Sequence, residues 1–239
     1  MTVKLICGDA LAVLPTLEAG SVDCVVTDPP YLNLSGGLIM ASDGGVAPCT
    51  KTTTTVGDVW SASLAWASEA WRVVRYAVLV MCGYNSVAEV RMAFPEATAK
   101  GLAVWHHANA VPSYRNVPRF DTEFIWLLEK QPGIEWSALK SLVIDIPSLP
   151  AGCFASERVL ESGSKRALHP CQKPIELMKR LLLPGCESVL DPFAGLGTTL
   201  IACFEMGRNG IGIEIDPGYF AIAEKRIAEA QMQPLLEMR

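Results

Sequence analysis

The chain has 239 residues, of which 50% are hydrophobic and 19% are charged, and its formal net charge is −5. This balance can bury a large core, which excludes a disordered chain and predicts one sizeable domain with insertions. No segment reaches the ~18 consecutive apolar residues of a membrane span. An acidic chain does not bind nucleic acid over its whole surface, so any such contact requires a local basic patch.

The cysteines are dispersed along the chain, at positions 7, 24, 49, 82, 153, 171, 186 and 203. None of them forms a Cys-x-x-Cys pair, which disfavours a metal site and predicts reduced thiols in the core. The start, Met1-Thr2-Val3-Lys4, lacks the pattern of a signal peptide. Together these features predict a cytoplasmic protein that binds no metal and no membrane.

The first predicted elements lead to a short polar motif. Lys4 to Cys7 predicts a strand, and Asp9 is placed to cap a helix over Ala10 to Leu17. Val22 to Thr27 is apolar and rich in β-branched residues, which predicts a buried strand that ends at Asp28. The carboxyl ends of strands are where open α/β sheets gather their chemistry.

Asp28-Pro29-Pro30-Tyr31 follows this strand. The prolines hold φ near about −65° and remove two backbone donors, so their carbonyls have no competing N–H. Asp28 and the Pro29 carbonyl can each accept one hydrogen of an amino group, while Tyr31 stacks on the ring that carries it. The alternative is an ordinary strand-ending turn, in which Asp and Pro are both common.

The amine of a nucleobase is a poor nucleophile because its lone pair is delocalised into the ring. Two acceptors that pull the amine hydrogens out of the ring plane free this lone pair for attack. A hydrogen bond to a charged acceptor contributes roughly 1.5–3 kcal/mol. If that bond strengthens in the transition state, it accelerates the reaction by about one to two powers of ten.

The middle of the chain alternates between helices and strands. Segment 32–57 is rich in glycine, serine and threonine and has no helical or strand period, which is typical of a flexible flap. A helix is predicted over Asp58–Val74, and Asn85 is predicted to cap a second helix that ends at Phe94. The predicted strands are Ala77–Cys82, Gly101–Trp105 and Asp121–Leu128. This alternation predicts a mainly parallel sheet with helices on both faces.

Positive charge is concentrated in two loop regions. The loop from Pro112 to Phe120 combines two arginines with two aromatic residues, which suits phosphate contact and base stacking but also suits a solvated loop. The second concentration begins in the weakly patterned segment 131–168. The candidate contacts to nucleic acid are Lys51, Arg115, Arg119, Arg158, Lys165 and Arg166.

A second candidate site is predicted between positions 188 and 216. Ser188 to Asp191 predicts a strand, Gly195 and Gly197 allow the backbone to pass close to a ligand, and Thr198-Thr199 begin a helix. The next strand ends in acid, where Glu214 is placed to accept hydrogen bonds from both hydroxyls of a ribose. This order of elements predicts a ligand that contains adenosine.

The glycine turn departs from the dinucleotide fingerprint, because Leu200 stands at the position of its third glycine. This departure weakens the interpretation as an NAD site. Asp191 at the preceding strand end suits a cationic head group. S-adenosylmethionine carries an ammonium and a sulfonium, so it fits this carboxylate better than a pyrophosphate does.

The two candidate sites together resemble DNA amino-methyltransferases. The resemblance is carried by Thr27-Asp28-Pro29-Pro30-Tyr31 and by Asp191-Pro192-Phe193-Ala194-Gly195-Leu196-Gly197-Thr198-Thr199. The catalytic motif precedes the cofactor motif, as in the beta group of these enzymes, which includes bacterial and phage adenine methylases. Gln172-Lys173-Pro174 is similar to the Gln-Lys-Pro element of that group, and Gly8-Asp9 resembles its acidic residue near the cofactor's adenine.

The resemblance implies a class I methyltransferase fold: an α/β, Rossmann-like, doubly wound sheet of seven strands, circularly permuted and mainly parallel, with a C-terminal-type antiparallel hairpin. It implies S-adenosyl-L-methionine as methyl donor and DNA as partner, with the target base flipped out of the duplex. The implied catalytic residues are Asp28, Pro29, Pro30 and Tyr31. The implied cofactor-binding residues are Asp9, Ala10, Asp28, Lys173, Asp191, Pro192, Phe193, Gly195, Gly197, Thr198, Thr199, Glu214 and Ile215.

The family's trend of Asp-Pro-Pro-Tyr for adenine predicts transfer to N6 of adenine, with N4 of cytosine as the alternative. Three other classes fit less well. Methyltransferases of protein glutamine place the cofactor motif first, an NAD-binding dehydrogenase has no use for Pro29-Pro30-Tyr31, and a non-catalytic DNA-binding module is expected to lose Asp28 or the glycines.

The resemblance also sets expectations for domain organisation. We expect a single methyltransferase domain over 1–239, with 131–168 as a small target-recognition insertion and the 32–57 flap supplying some DNA contacts. Because this insertion is short for the group, we expect a short or relaxed target sequence. By analogy with the group, we also expect a homodimer and a bacterial or phage-encoded protein.

Overall fold

The computed structural model describes residues 1–30, 64–107, 121–147 and 172–237, with the backbone of 38–40 and 46–48, and side chains up to residue 232. Its strands are β1 (Val3–Cys7), β2 (Val22–Thr27), β3 (Leu38–Met40), β4 (Val46–Pro48), β5 (Val74–Cys82), β6 (Thr98–His106), β7 (Thr122–Glu129), β8 (Val143–Asp145), β9 (Ser188–Asp191) and β10 (Asn209–Glu214). Its α-helices are α1 (Ala10–Val13), α2 (Trp66–Val73), α3 (Val87–Ala93), α4 (Ile175–Leu181), α5 (Thr198–Glu205) and α6 (Pro217–Glu237).

Within these residues, eight strands form one sheet in the order β1-β10-β9-β2-β5-β7-β6-β8. All neighbouring strands are parallel except at β7, which runs antiparallel to both β5 and β6. The predicted permuted and mainly parallel sheet is therefore confirmed. It contains one strand more than expected, because the short β8 pairs with β6 at the sheet edge.

The core lies on both faces of the sheet, as the run of apolar residues in β2 predicts. All six residues of β2 are buried. Cys24 and Val26 pack in a cluster that includes Leu177 of α4, whereas Val25 packs in a second cluster that includes Trp66 of α2. Successive residues of a strand point to opposite faces, so two helical layers are needed to cover this strand.

The parallel strands place their carboxyl ends along one edge of the sheet. β10, β9 and β2 are consecutive in the sheet, and β1 lies outside β10. The residues that follow these four strands include Asp28 after β2 and Asp9 after β1. The two motifs that the sequence separates are therefore neighbours in the fold.

Two local predictions differ from the structure. α3 is preceded by Ser86 at its N-cap, one residue after the predicted cap Asn85. β3 and β4 form an antiparallel pair inside segment 32–57, where the sequence shows no strand period. Three-residue strands are too short to produce a recognisable alternation.

None of the described helices is long and apolar enough to cross a membrane.

Cys24 and Cys186 form a disulfide, whereas the sequence predicts reduced core thiols. Their Cα atoms are 5.4 Å apart, within the distance that a disulfide spans. The two residues are 162 positions apart, so no spacing rule connects them. They meet because Cys24 lies in β2 and Cys186 lies just before the neighbouring strand β9. Among the described cysteines, Cys7, Cys82 and Cys203 are free thiols.

Gly197 provides the first testable prediction, because it precedes α5 with a φ of 78°. A Cβ at this position would lie 3.2 Å from both Ala223 Cβ and Ile227 Cδ1. Left-handed backbone alone costs an L-residue about 1–2 kcal/mol, and crowding adds to that cost. We expect Gly197→Ala to lower the free energy of unfolding in urea by about 2–4 kcal/mol.

Gly207, which follows α5, is the matched control for this substitution. It has a φ of 72°, and a Cβ there would meet nothing within 4 Å. Gly207→Ala therefore introduces the backbone strain without the crowding, and its loss of stability should be the smaller of the two. Equal losses at the two positions would show that the contacts with α6 do not matter.

Candidate active site

A direct hydrogen bond joins the two motifs at the sheet edge. The Thr27 hydroxyl donates to Asp191 Oδ1 over 2.7 Å, although the two residues are 164 positions apart in sequence. β2 and β9 pair in parallel just before these residues, with Val25 opposite Leu190. Asp28 therefore leaves the sheet immediately beside the turn that begins at Asp191.

Asp191 is only 3% exposed and accepts three hydrogen bonds from the protein. Besides Thr27, its donors are the Phe193 N–H at 3.1 Å and the Thr199 hydroxyl at 2.6 Å. Burial raises the pKa of Asp191 to about 6, and the charge of nearby Asp28 adds to the rise, whereas these hydrogen bonds oppose it. Asp191 is thus hydrogen-bonded to β2, to the turn and to α5. Its contact with a ligand stays a prediction.

Glu214 fixes the other side of the glycine turn. Its Oε2 accepts a hydrogen bond from the Gly195 N–H at 2.8 Å, and its Oε1 accepts one from the Asp216 N–H at 2.8 Å. The side chain is buried at the end of β10. A carboxylate oxygen can accept more than one hydrogen bond, so these bonds orient Glu214 and leave the predicted ribose contact compatible with the structure.

The end of β1 lies beside the end of β10. The Gly8 N–H donates to the Glu214 carbonyl over 2.9 Å, which places Asp9 next along the same edge. Asp9 caps α1 as predicted, since its Oδ1 accepts from the Leu11 N–H at 2.9 Å. Its side chain remains exposed at the edge, whereas Ala10 is buried.

Asp28 has a partner that the sequence does not indicate. Lys173 Nζ lies 2.7 Å from Asp28 Oδ2 and 3.2 Å from Glu123 Oε2. The Lys173 side chain is 6% exposed, and those of Asp28 and Glu123 are 19% and 22% exposed. By resemblance Lys173 is a cofactor-binding residue; in the structure its ammonium contacts the carboxylates of Asp28 and Glu123.

The surroundings of this cluster are partly aromatic. The Lys173 ammonium lies 5.9 Å from the ring centroid of Trp105, and the ring of His107 lies 4.8 Å from the same indole. Burial lowers the pKa of His107. Burial also raises the pKa of Cys82 to about 12, and the charges of Glu123 and Asp28 contribute to that rise. The charges of Asp28 and Glu123 therefore act on the buried thiol of Cys82 as well as on Lys173.

Most of the predicted cofactor residues lie along one edge of the sheet. Pro192, Gly197, Thr198 and Thr199 are buried in and after the turn, whereas Ile215 is 64% exposed just after β10. Phe193 packs edge-to-face on Trp66, with 5.4 Å between the ring centroids. Pro29 is buried and Pro30 is exposed after β2.

Several predicted residues lie outside the described part of the chain. They are Tyr31 and all six candidate DNA contacts, namely Lys51, Arg115, Arg119, Arg158, Lys165 and Arg166.

Glu123 was not predicted from the sequence as part of the site. The available signal was its place at the start of the predicted strand Asp121–Leu128, because the start of an antiparallel strand meets the carboxyl ends of its neighbours.

Solved structures of similar fold include the M1.HpyAVI–SAM complex, which is 25% identical, has a TM-score of 0.65 and is aligned over 95% of this chain and 99% of that chain. The cytosine-N4-specific PvuII DNA methyltransferase is 18% identical with a TM-score of 0.69, covering 96% of this chain and 91% of that one. At 18% identity, the similarity to the PvuII enzyme shows the fold alone. The sheet order and these structures define a class I S-adenosylmethionine-dependent methyltransferase.

A family model described as DNA methylase, which covers N6 and N4 methyltransferases, matches residues 22–225. The chain belongs to this DNA methylase family, and it methylates DNA at N6 of adenine or N4 of cytosine. Among its curated relatives is the Type II methyltransferase M.HpaI of Haemophilus parainfluenzae, 26% identical over 246 residues that cover 95% of this chain and 74% of the relative. M.HinfI of Haemophilus influenzae is also 26% identical, over 95% of this chain and 68% of the relative.

S-adenosylmethionine is the cofactor, and the strand ends suit its chemistry. Carboxylates lie at the ends of β1 and β10, and a carboxylate can accept hydrogen bonds from hydroxyl and amino groups such as those of adenosine. The glycine turn between β9 and α5 brings backbone to the same edge, where Gly195 has a φ of 53°. Asp28 leaves the sheet beside this edge, next to the turn that begins at Asp191.

Proposed function

We propose that the protein transfers a methyl group from S-adenosylmethionine to N6 of adenine in DNA. The observation that carries this proposal is the Thr27–Asp191 hydrogen bond, because it sets the Asp28 motif beside the cofactor turn. Adenine is favoured over cytosine because Asp28 begins an Asp-Pro-Pro-Tyr sequence, the form that the family's adenine enzymes favour. N4 of cytosine is the second candidate.

In this proposal Asp28 and the Pro29 carbonyl accept the two hydrogens of the target amine, and Tyr31 stacks on the base. When bound, S-adenosylmethionine supplies a methyl group on a sulfonium sulfur that leaves as a neutral thioether. Asp28 holds the amine so that its lone pair points out of the ring plane. Attack leaves the nitrogen as a methylated ammonium, which is strongly acidic, so its proton needs no strong base, and Asp28 passes it to water.

We further propose that the strand-end residues hold the cofactor. Glu214 accepts hydrogen bonds from the ribose hydroxyls, and Asp9 receives the adenine with Ala10. Pro192, Phe193, Gly195, Gly197, Thr198 and Thr199 form the turn, with Asp191 behind it and Ile215 beside Glu214. Exposure of Asp9 and Ile215 at the edge supports their part in this arrangement.

The remaining expectations for the biological setting are proposals as well. DNA would be held by the basic residues Lys51, Arg115, Arg119, Arg158, Lys165 and Arg166, with 32–57 as a flap and 131–168 as a recognition insertion. A homodimer would extend this small recognition surface. The Haemophilus relatives support a bacterial source, for which we propose action in the cytoplasm.

The experiment is incubation with S-adenosylmethionine labelled in its methyl group and with mixed-sequence duplex DNA, followed by nucleoside mass spectrometry. We expect the label in N6-methyladenine. Label in N4-methylcytosine would reassign the target, and an absence of labelled nucleosides would contradict the proposed function. Fully N6-methylated DNA of the same sequences is the control, because it should accept no label.

A further inference from the structure

Glu123 meets the active-site cluster through the topology of β7. Because β7 runs antiparallel to β5 and β6, its first residues lie at the carboxyl ends of those strands. Glu123 is opposite Trp105 of β6, and the next residue, Phe124, is opposite Cys82 of β5. This register brings the Glu123 carboxylate within 3.2 Å of Lys173 Nζ.

The Lys173 ammonium therefore contacts two carboxylates, at different distances. Its contact with Asp28 Oδ2 is 2.7 Å, which is shorter than the 3.2 Å contact with Glu123 Oε2. An ammonium that is 6% exposed requires compensation of its charge. Two carboxylates exceed that requirement by one charge, so the cluster of Asp28, Glu123 and Lys173 is negative overall.

The second carboxylate changes what Asp28 can do. An ammonium bound to Asp28 alone would hold the carboxylate in one tight ion pair and weaken it as an acceptor for an incoming amine. Glu123 attracts the same ammonium over 3.2 Å. Asp28 then keeps its orientation through Lys173 and retains most of its strength as a hydrogen-bond acceptor.

We propose that Glu123 is a positioning residue for methyl transfer, acting on Asp28 through the ammonium of Lys173. This inference rests on the proposed function of Asp28 as the acceptor of the target amine. Glu123 does not touch the base in this scheme. It raises kcat, because the hydrogen bond from the amine to Asp28 strengthens as the nitrogen becomes positively charged.

Glu123→Gln is the first test, because it removes the charge and preserves the shape of the side chain. We expect kcat to fall by about tenfold, with the Kd for S-adenosylmethionine and the KM for DNA changed by less than about twofold. Glu123→Asp keeps the charge but withdraws it from Lys173, so its kcat should fall between those of Glu123→Gln and the wild type. An unchanged kcat in Glu123→Gln would overturn the proposal.

A double-mutant cycle with Lys173→Met separates this role from a general structural one. If Glu123 acts through Lys173, Glu123→Gln should change the kcat of the Lys173→Met enzyme by less than about twofold. An equal loss in both backgrounds would overturn the proposal. If Glu123→Gln alone fails to bind S-adenosylmethionine, the comparison of the double variant with Lys173→Met still decides the question.

Glu129→Gln is the matched control, because Glu129 lies on the same strand, is 9% exposed and pairs with Lys100 at 2.8 Å. It should lower the Tm without lowering kcat. Methyl transfer by the wild type distinguishes a failure of the proposed function from a failure of the role assigned to Glu123. A wild type that does not methylate DNA contradicts the proposed function, whereas an active wild type with an equally active Glu123→Gln contradicts this inference alone.

Discussion

We expect the Asp28→Ala variant to lose methyl transfer to DNA while retaining most of its affinity for S-adenosylmethionine. Asp28 would supply a charged acceptor to the reacting nitrogen, and losing it removes a bond that is strongest in the transition state. Its removal also takes away one of the two carboxylates that contact the Lys173 ammonium. The expected decrease in kcat is about 100-fold, the upper end of what one charged hydrogen bond supplies.

Two measurements check this expectation: transfer of labelled methyl groups to DNA and calorimetric titration with S-adenosylmethionine. The control is Asp23→Ala, at the opposite end of β2. Asp23 Oδ2 accepts hydrogen bonds from the Ser188 N–H at 2.9 Å and from the Ser188 hydroxyl at 2.8 Å, so its loss weakens the fold without touching the site. Equal losses of transfer and cofactor affinity in Asp28→Ala would refute the assigned role.

The second large effect concerns the pH dependence of stability at Asp191. The folded pKa is about 6 against an ordinary value of 3.8, so the folded state binds this proton more tightly than the unfolded state. The contribution of Asp191 to stability is therefore greatest below pH 3.8 and is lost as the pH rises through 6. From acid to neutral pH this loss is on the order of 3 kcal/mol.

Asp191→Asn should remove this dependence, because an amide does not titrate. We expect the free energy of unfolding of the variant, relative to the wild type, to increase by about 2–3 kcal/mol between pH 4 and pH 7. Urea unfolding of both proteins at the two pH values measures this difference, in which the titration of groups that do not interact with Asp191 cancels. A difference that does not change with pH would mean that Asp191 is not held in a raised-pKa state.

The sequence predicts the sheet and the strand ends at which the candidate site residues lie, for identifiable reasons. The strands β2, β5 and β9 are short apolar runs, and each ends at a distinctive turn, so their existence and their functional ends are visible locally. The neighbouring positions of Asp28 and Asp191 follow from the resemblance to a known fold. Asp9 and Glu214 fall at strand ends for the same reason.

The ion-pair cluster and the disulfide could not be predicted in this way. Lys173 and Asp28 are separated by most of the chain, and nothing in either local sequence specifies the partner. Glu123 looks like an ordinary polar residue near the start of a strand, and only the antiparallel direction of β7 brings it to the site. Cys24 and Cys186 meet through the same kind of long-range pairing.

The strand order has a further consequence for how specificity can change. β2 separates β1, β10 and β9 on one side from β5, β7 and β6 on the other, and Asp28 stands at the boundary. The residues proposed for the methyl donor belong to the first group, while Glu123, Trp105 and His107 belong to the second. If Asp28 holds the target amine as proposed, substitutions in the second group can change the surroundings of the base without altering the strands proposed to hold the donor.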